Sequence, residues 1–302
     1  MRRCVVGLFD SLKKLFSSGG KAKKPVDVAK RFELRGQTGQ GSMSKVYHAY
    51  DRSLGRKICL KLLDKKKTAK FEERFTIQKL KKPSEGEICL LLKHPNIVTT
   101  YECGVTTKGE PFLVLEWVVG SGLNNLIKER DPRLDGNRIN FLSQLSDALT
   151  YLHGQRFLHR DICPPNVMVD KAGIIKLIDF GLTIPYTPDY CKPGNRTGKA
   201  EYLPPEVIKR LSTDHRVDLY ALGITAFEVF TGQQPWEKAG TSEEMFRKHL
   251  NVTANDPRTL NPDIDDDLAE VLLQSIEKES KSRFPTAKAF KEALEGLGRK
   301  DY

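Results

Sequence analysis

No CxxC pair, no apolar run of membrane-spanning length and no excess of acid occur in this 302-residue sequence. Each lack removes a class of protein. The six cysteines (Cys4, Cys59, Cys89, Cys103, Cys163, Cys191) stand apart from one another, some of them inside apolar runs. They read as reduced thiols of a cytoplasmic chain, not as a zinc site or a disulfide scaffold. The longest nearly apolar stretch, Val217 to Phe230, has 14 residues and carries Asp218 and Glu228, against the roughly 20 that a spanning helix needs. With 16 prolines and 23 glycines the chain is neither collagen-like nor low-complexity. What is present, 39% hydrophobic and 29% charged residues, suits a globular protein. The length predicts one large domain or two lobes, burying ~75% of the unfolded surface.

The net charge of +11 raises nucleic acid as a partner, but its distribution argues against one. Residues 1–25 hold Arg2, Arg3, Lys13, Lys14, Lys21, Lys23 and Lys24 against Asp10, so +6 of the charge lies there and +5 is spread over the other 277 residues. A groove that tracks phosphates would concentrate charge on the folded body, and no nucleic-acid partner is expected. Within this tail Val5, Leu8, Phe9, Leu12, Leu15 and Phe16 recur at offsets of three and four. At ~100° per residue they form an apolar stripe about 120° wide, with Lys13 and Lys14 outside it. A basic helix of this kind over residues 5–16 predicts contact with an anionic membrane surface, peripheral at the inner face. Docking on the main domain is the plainer alternative. Asp10 and two lysines interrupt the apolar run, which argues against a secretory signal. Residues 17–25 read as a linker.

From Arg31 the pattern changes. Arg31 to Leu63 reads as three strands, with a turn over Gly39-Gln40-Gly41-Ser42-Met43-Ser44 before Val46 and another at Leu54-Gly55. Glycines between two strands let backbone amides approach a polyphosphate closely, although a plain hairpin turn explains the same residues. Lys61 lies in the middle of the alternating strand "KICLKLL", where a charge is costly without a partner. Either Glu85 or Glu87 can supply it, and spacing does not choose. The segment from Phe71 to Lys93 reads as partly helical and broken at Pro83. "PFLVLEWV", Pro111 to Val118, reads as a buried strand, and the helical pattern begins at Ile139. Strands first and helices after predict an α+β protein: a small β-rich N-terminal lobe over about 31–118, a larger helical C-terminal lobe over about 123–295, and a ligand cleft between them. In "LHRDICPPNVMV" Asp161 and Asn166 stand five apart, and in "IIKLIDFGLT" Asp179 ends an apolar strand. Two acids and an amide are what hard cations on a phosphate require, because Mg²⁺ takes oxygen ligands and keeps its waters. A loop aspartate taken singly is more often a cap or turn former.

Taken in order, "GQGSMSKV", "ICLK", "HRDICPPN", "DFG" and "PPE" resemble the signature set of the eukaryotic-type protein kinases, most of all the Ser/Thr members found in bacteria. The resemblance covers residues 31–295 and implies the two-lobed kinase fold, ATP and Mg²⁺ as cofactors, and protein substrates phosphorylated on Ser/Thr hydroxyls. It selects Glu85 as the partner of Lys61, by its distance before "HPNIV". It further implies that Lys61 orients the α- and β-phosphates, that Asp179 and Asn166 hold the metal, and that Asp161 receives the acceptor's proton. Gly39, Gly41 and Ser44 would cover the nucleotide. Val46, Cys59 and Met168 would sandwich the base, the backbone of Glu116 and Val118 would bind it, and Leu115 would guard the pocket behind. Cys89, His159 and Phe180 resemble the family's stacked spine, Asp218 the cap of the HRD backbone, and Glu206 with Arg283 its buried ion pair.

Ser44 replaces the third glycine of the family's loop. Cys163 occupies the place of a catalytic-loop lysine, and Lys199 that of a threonine before the PPE segment, so the loop markers do not themselves specify the acceptor hydroxyl. We expect Lys199 to take over the work of the missing lysine; a solvated loop lysine beside a passive cysteine is the alternative. Arg160 before Asp161 implies an activation segment ordered by a phosphate, with Thr183, Thr187, Tyr190 and Thr197 as candidates. Two other readings compete: a nucleotide-binding scaffold without transfer, and a small-molecule phosphotransferase. Phosphate transfer from labelled ATP to protein acceptors separates them.

Overall fold

A computed structural model describes residues 24–40, 44–194 and 196–298. The tail stripe over residues 5–16, and Gly41 of the glycine turn, lie outside them. A single turn, Val28–Arg31, capped by the Asp27 carboxylate, leads into a five-stranded antiparallel sheet. Its strands are β1 (Phe32–Gln40), β2 (Ser44–Asp51), β3 (Arg56–Leu63), β4 (Thr100–Val105) and β5 (Pro111–Glu116), in the order β1-β2-β3-β5-β4. Alternation decides which face each side chain takes. Ile58 and Leu60 turn to one side, into a small core with Phe32, Ala49, Phe112 and Val114. Cys59, Lys61 and Leu63 turn to the other. Register places Val46 opposite Lys61, Leu113 opposite Lys61 and Leu115 opposite Cys59, so Val46, Cys59, Lys61 and Leu115 share the face that looks into the cleft.

Two helices follow β3. Helix α1 (Lys65–Ile77) is capped by Asp64, whose carboxylate accepts from the Lys66 and Lys67 amides. It starts six residues before the helical signal expected from Phe71, because its lysine-rich first turn has no apolar period. Helix α2 (Glu85–Leu91) begins after Pro83 with a reciprocal capping box: the Glu87 amide donates to the Ser84 hydroxyl, and the Ser84 amide donates to the Glu87 carboxylate. Gly86 lets α2 press onto β4, since a Cβ there would lie 2.6 Å from Cys103 Cβ.

Strand β5 stops at Glu116, two residues short of the expected Val118. The chain then forms β6 (Gly120–Gly122), paired with β8 (Val167–Asp170), and α3 (Leu123–Glu129), neither of which the sequence pattern revealed. Gly120 permits the close approach to β8, where a Cβ would fall 2.0 Å from the Val169 carbonyl oxygen. The helical half continues with α4 (Arg138–Gly154), α5 (Arg216–Thr231), α6 (Ser242–Asn251), α7 (Asp266–Ser275) and α8 (Ala287–Gly296). Of α5 only Arg216, Glu228 and Thr231 escape full burial, as befits a helix that is apolar all round. Short strands β7 (Phe157–Leu158), β9 (Ile175–Leu177) and β10 (Ile184–Pro185) frame the loops between α4 and α5. A continuous apolar cluster runs from Ile88 and Cys89 of α2 through Phe180 to Leu222 and Phe227 of α5, joining the sheet-rich and helical halves. Among the described residues no helix is long and apolar enough to cross a membrane.

Candidate active site

Lys61 sits where the two halves meet, 7% exposed, and donates to Glu85 Oε1 at 2.6 Å and to Asp179 Oδ1 at 2.9 Å. Glu87, the other acid within reach in sequence, is occupied by the Ser84 cap. Burial works against the charged lysine, but the carboxylates of Asp179 and Glu85 outweigh it and hold Lys61 well above its ordinary pKa. Burial pushes Glu85 up, against the pull of Lys61. Asp179 goes the other way, down to about 2, chiefly because of the Lys61 charge, with the Gly181 amide also donating to it at 3.1 Å. Asp179 has a φ of +64° and Arg160 one of +67°. This is a left-handed backbone that non-glycine residues rarely adopt and that the surroundings must enforce.

Asp218, fully buried in the first turn of α5, does the enforcing for the loop that carries Asp161. Its carboxylate accepts from the His159 amide at 2.9 Å, the Arg160 amide at 2.8 Å and the His153 ring at 2.8 Å. Burial would lift its pKa, and the hydrogen bond and charge of His153, with the Arg160 amide, outweigh this and keep it low. The His159 ring meets Phe180 edge-on at 5.0 Å, and Cys89 belongs to the same apolar cluster as Phe180. Asn166 donates both of its amide hydrogens to Asp161, to the carbonyl and to Oδ2, each at 2.7 Å. That fixes the Asp161 carboxylate and leaves Asn166 Oδ1 as a ligand oxygen. Asp179 likewise keeps Oδ2 clear of the bonds that engage Oδ1. Among the described residues no three His, Cys, Asp or Glu side chains form a metal cluster. Asn166 Oδ1 and Asp179 Oδ2 are oxygens that could hold a divalent cation whose shell is completed by phosphate and water, the habit of Mg²⁺.

Gly39 lies in β1 opposite Val46, and Ser44 is buried at the start of β2. Met168, in β8, alternates with buried Val167 and Val169 and is itself half-buried. Leu115 is buried at the end of β5. The Glu116 carboxylate accepts from the Thr99 amide at 2.7 Å and pairs with Lys176 at 3.0 Å, which anchors the segment carrying Val118. Lys199 Nζ donates to Asp161 Oδ2 at 3.1 Å, to Oδ1 at 3.2 Å and to the Cys163 sulfur at 2.9 Å. Glu206 and Arg283 form a two-pronged pair at 2.8 and 2.9 Å with the arginine side chain fully buried. Thr183 is fully buried, which distinguishes it from the other phosphate candidates in its segment. Sequence reasoning missed Lys82. It lines the same cavity as Lys61, Glu85 and Asp179, and burial lowers its pKa. It lies in a lysine run without periodicity, and Pro83 and the Ser84 cap were its only signal.

The protein kinase domain family matches residues 32–294. The chain belongs to the protein kinase family. It is 31% identical over 272 residues to a probable serine/threonine-protein kinase of Clostridium acetobutylicum, across 89% of this chain and 40% of the relative. The serine/threonine-protein kinase PrkC of Bacillus subtilis is 29% identical, over 86% of this chain and 39% of its own length. The Aurora kinase of Saccharomyces cerevisiae is 30% identical, over 80% and 64%. These names place the domain among the eukaryotic-type Ser/Thr kinases, with bacterial members well represented. The chain spans half or less of the bacterial relatives it matches. Kinases of this family use ATP and a divalent metal, and the two-lobed α+β architecture is theirs.

Proposed function

We propose that this chain transfers the γ-phosphoryl group of ATP to Ser/Thr hydroxyls of protein substrates, with magnesium as the metal. The observation that carries this reading is the Lys61 ammonium gripped by Glu85 and Asp179, in a cavity that also includes Asp161. Lys61, held charged, orients the nucleotide's phosphates. Asp161, fixed by Asn166, accepts the proton of the acceptor hydroxyl as its oxygen bonds to phosphorus and the P–O bond to ADP breaks, ADP keeping the electron pair. Asn166 and Asp179 would hold the metal, whose charge would neutralise that of the phosphates. Catalysis is then positioning and charge stabilisation, with little covalent work for the protein. Val46, Cys59 and Met168 enclose the base, Leu115 closes the pocket behind it, the backbone of Glu116 and Val118 reads its edge, and Gly39, Gly41 and Ser44 cover the phosphates. Residues 1–25 are a basic tail and 26–302 the kinase domain. The cytoplasmic chain rests through residues 5–16 on an anionic membrane surface, so it should sediment with anionic liposomes when a version starting at Val26 does not.

The test of the enzyme reading is transfer from γ-labelled ATP to generic protein acceptors. Asp161→Ala should lower turnover by ~10²- to 10⁴-fold while nucleotide binding survives. Asp179→Ala should weaken metal-dependent ATP binding as well. Equal turnover in wild type and Asp161→Ala would overturn the assignment.

A further inference from the structure

Lys199 reaches the Asp161 carboxylate from outside the loop that carries it. Its ammonium donates to both carboxylate oxygens and to the Cys163 sulfur. The Cys163 thiol in turn donates to the Asp161 carbonyl at 3.5 Å, and burial, with the Asp161 charge, pushes its pKa up to about 12. It stays a neutral, compact filler whose small volume leaves room for the lysine stem. Two of the ammonium's three acceptors belong to one carboxylate, so it can release an N–H to an incoming anion and keep its anchor. Its side chain is 41% exposed, so the ammonium is accessible from solvent while it holds the carboxylate.

The backbone shows that this reach is built in. Gly198 holds a φ of +129°, and a Cβ there would sit 3.0 Å from Leu203 Cδ2 and 3.2 Å from the Arg160 carbonyl oxygen. Only glycine lets the segment lie this close to the Asp161 loop. Beyond Lys199, the Tyr202 amide donates to the Lys199 carbonyl at 3.0 Å. The Tyr202 hydroxyl donates to Glu228 of buried α5 at 2.6 Å. Before Gly198, Arg196 donates to the Ile208 carbonyl at 2.8 Å. The lysine is thus mounted on a loop pinned on both sides.

We infer that Lys199 is a catalytic cation that contacts the transferring γ-phosphoryl group, delivered to the cleft by the loop of residues 196–203 instead of by the loop that carries Asp161. The inference rests on the phosphoryl-transfer reading above. As the P–O bond to ADP breaks and the acceptor oxygen bonds to phosphorus, Lys199 donates to a γ oxygen. The Asp161 oxygen it relinquishes is the one that takes the hydroxyl proton. Transfer then depends on residues 196–203 being seated, which makes the loop's position a control on activity.

Lys199→Thr, with a thermal melt to show folding, should lower kcat by ~100-fold, the loss typical of one preorganised donor. Adding Cys163→Lys returns a cation to the same space and should recover much of that loss, measurable as a double-mutant cycle. A readout independent of turnover is the ratio of ATP to ADP affinity in equilibrium binding: ADP affinity should stay put while ATP affinity falls several-fold. Wild-type kcat in Lys199→Thr, or a loss that Cys163→Lys does not even partly recover, overturns the inference. Asp161→Ala and Asp179→Ala run beside it: if they also keep full turnover the kinase reading has failed, and if they lose it only the Lys199 assignment has.

Discussion

The cleft holds two lysine–aspartate pairs, and they are built differently. Lys61 projects from the centre of a five-stranded sheet, 7% exposed, between two carboxylates, and its position follows from strand register. Lys199 projects from a loop, 41% exposed, and meets Asp161 because a glycine with φ +129° lets two loops touch. The Lys61–Glu85 contact can be lost only by disturbing the sheet or α2. The second can be lost by moving a few residues of loop. One cation is a constant of the fold and the other is conditional, an arrangement suited to an enzyme whose activity is set by its loops.

The largest break in that comparison is Lys61→Met. Removing the lysine leaves Glu85 buried without its cation, a loss on the order of 3–5 kcal/mol when one member of a buried pair goes, and transfer should fall by ~10³-fold. Thermal melts and labelled-phosphate transfer would register both, and a stable, active Lys61→Met protein would contradict the fixed-pair account.

Next in size, Arg283→Met attacks the conditional pair from a distance. Arg283 grips Glu206 four residues after Tyr202, and also holds the Glu277 and Lys278 carbonyls. Leaving Glu206 unpaired should cost ~3 kcal/mol or more of stability. At a temperature where the variant is folded, its kcat should fall while ADP affinity, governed by the Lys61 side, remains. Equal loss of both would mean that the two pairs are not separable.

The smallest effect is on pH. His249 of α6 is fully buried beneath the turn that follows Lys199, shares a 2.6 Å hydrogen bond with the Tyr220 hydroxyl, and has its pKa lowered by burial to about 4. The unfolded chain binds this proton near pH 6.5 and the folded chain does not. The contribution is therefore complete above pH 6.5 and is lost as pH falls toward 4, amounting to about 3 kcal/mol. Acid should loosen the turn that follows Lys199, while Asp179, held to about 2 chiefly by the Lys61 charge, stays ionised throughout that window. Melting temperatures between pH 7 and 4.5 should fall, and His249→Gln should flatten that slope.

Strands β1 to β3, the helical half and the acids at 161 and 179 were legible because their patterns are local: period-two alternation, apolar offsets of three and four, and loop motifs of fixed spacing. Helix α3 and strand β6 were not, because Gly120-Ser121-Gly122 carries no periodic apolar signal and its close backbone pairing with β8 is a tertiary contact. The sequence by itself also determined that Lys61 needed an acid, since a charge in an apolar strand must be paired. Spacing alone left Glu85 and Glu87 open and the family resemblance selected Glu85, but the physical reason is tertiary: the capping box at Ser84 consumes Glu87, and Gly86 brings α2 near enough to β4 for Glu85 to meet the lysine at 2.6 Å. Lys199 shows the same division. Its oddity beside Cys163 was visible in the string of residues, but its contact with Asp161 spans 38 positions and depends on a loop approach that only the packed chain can set, because no local propensity encodes the distance between two loops.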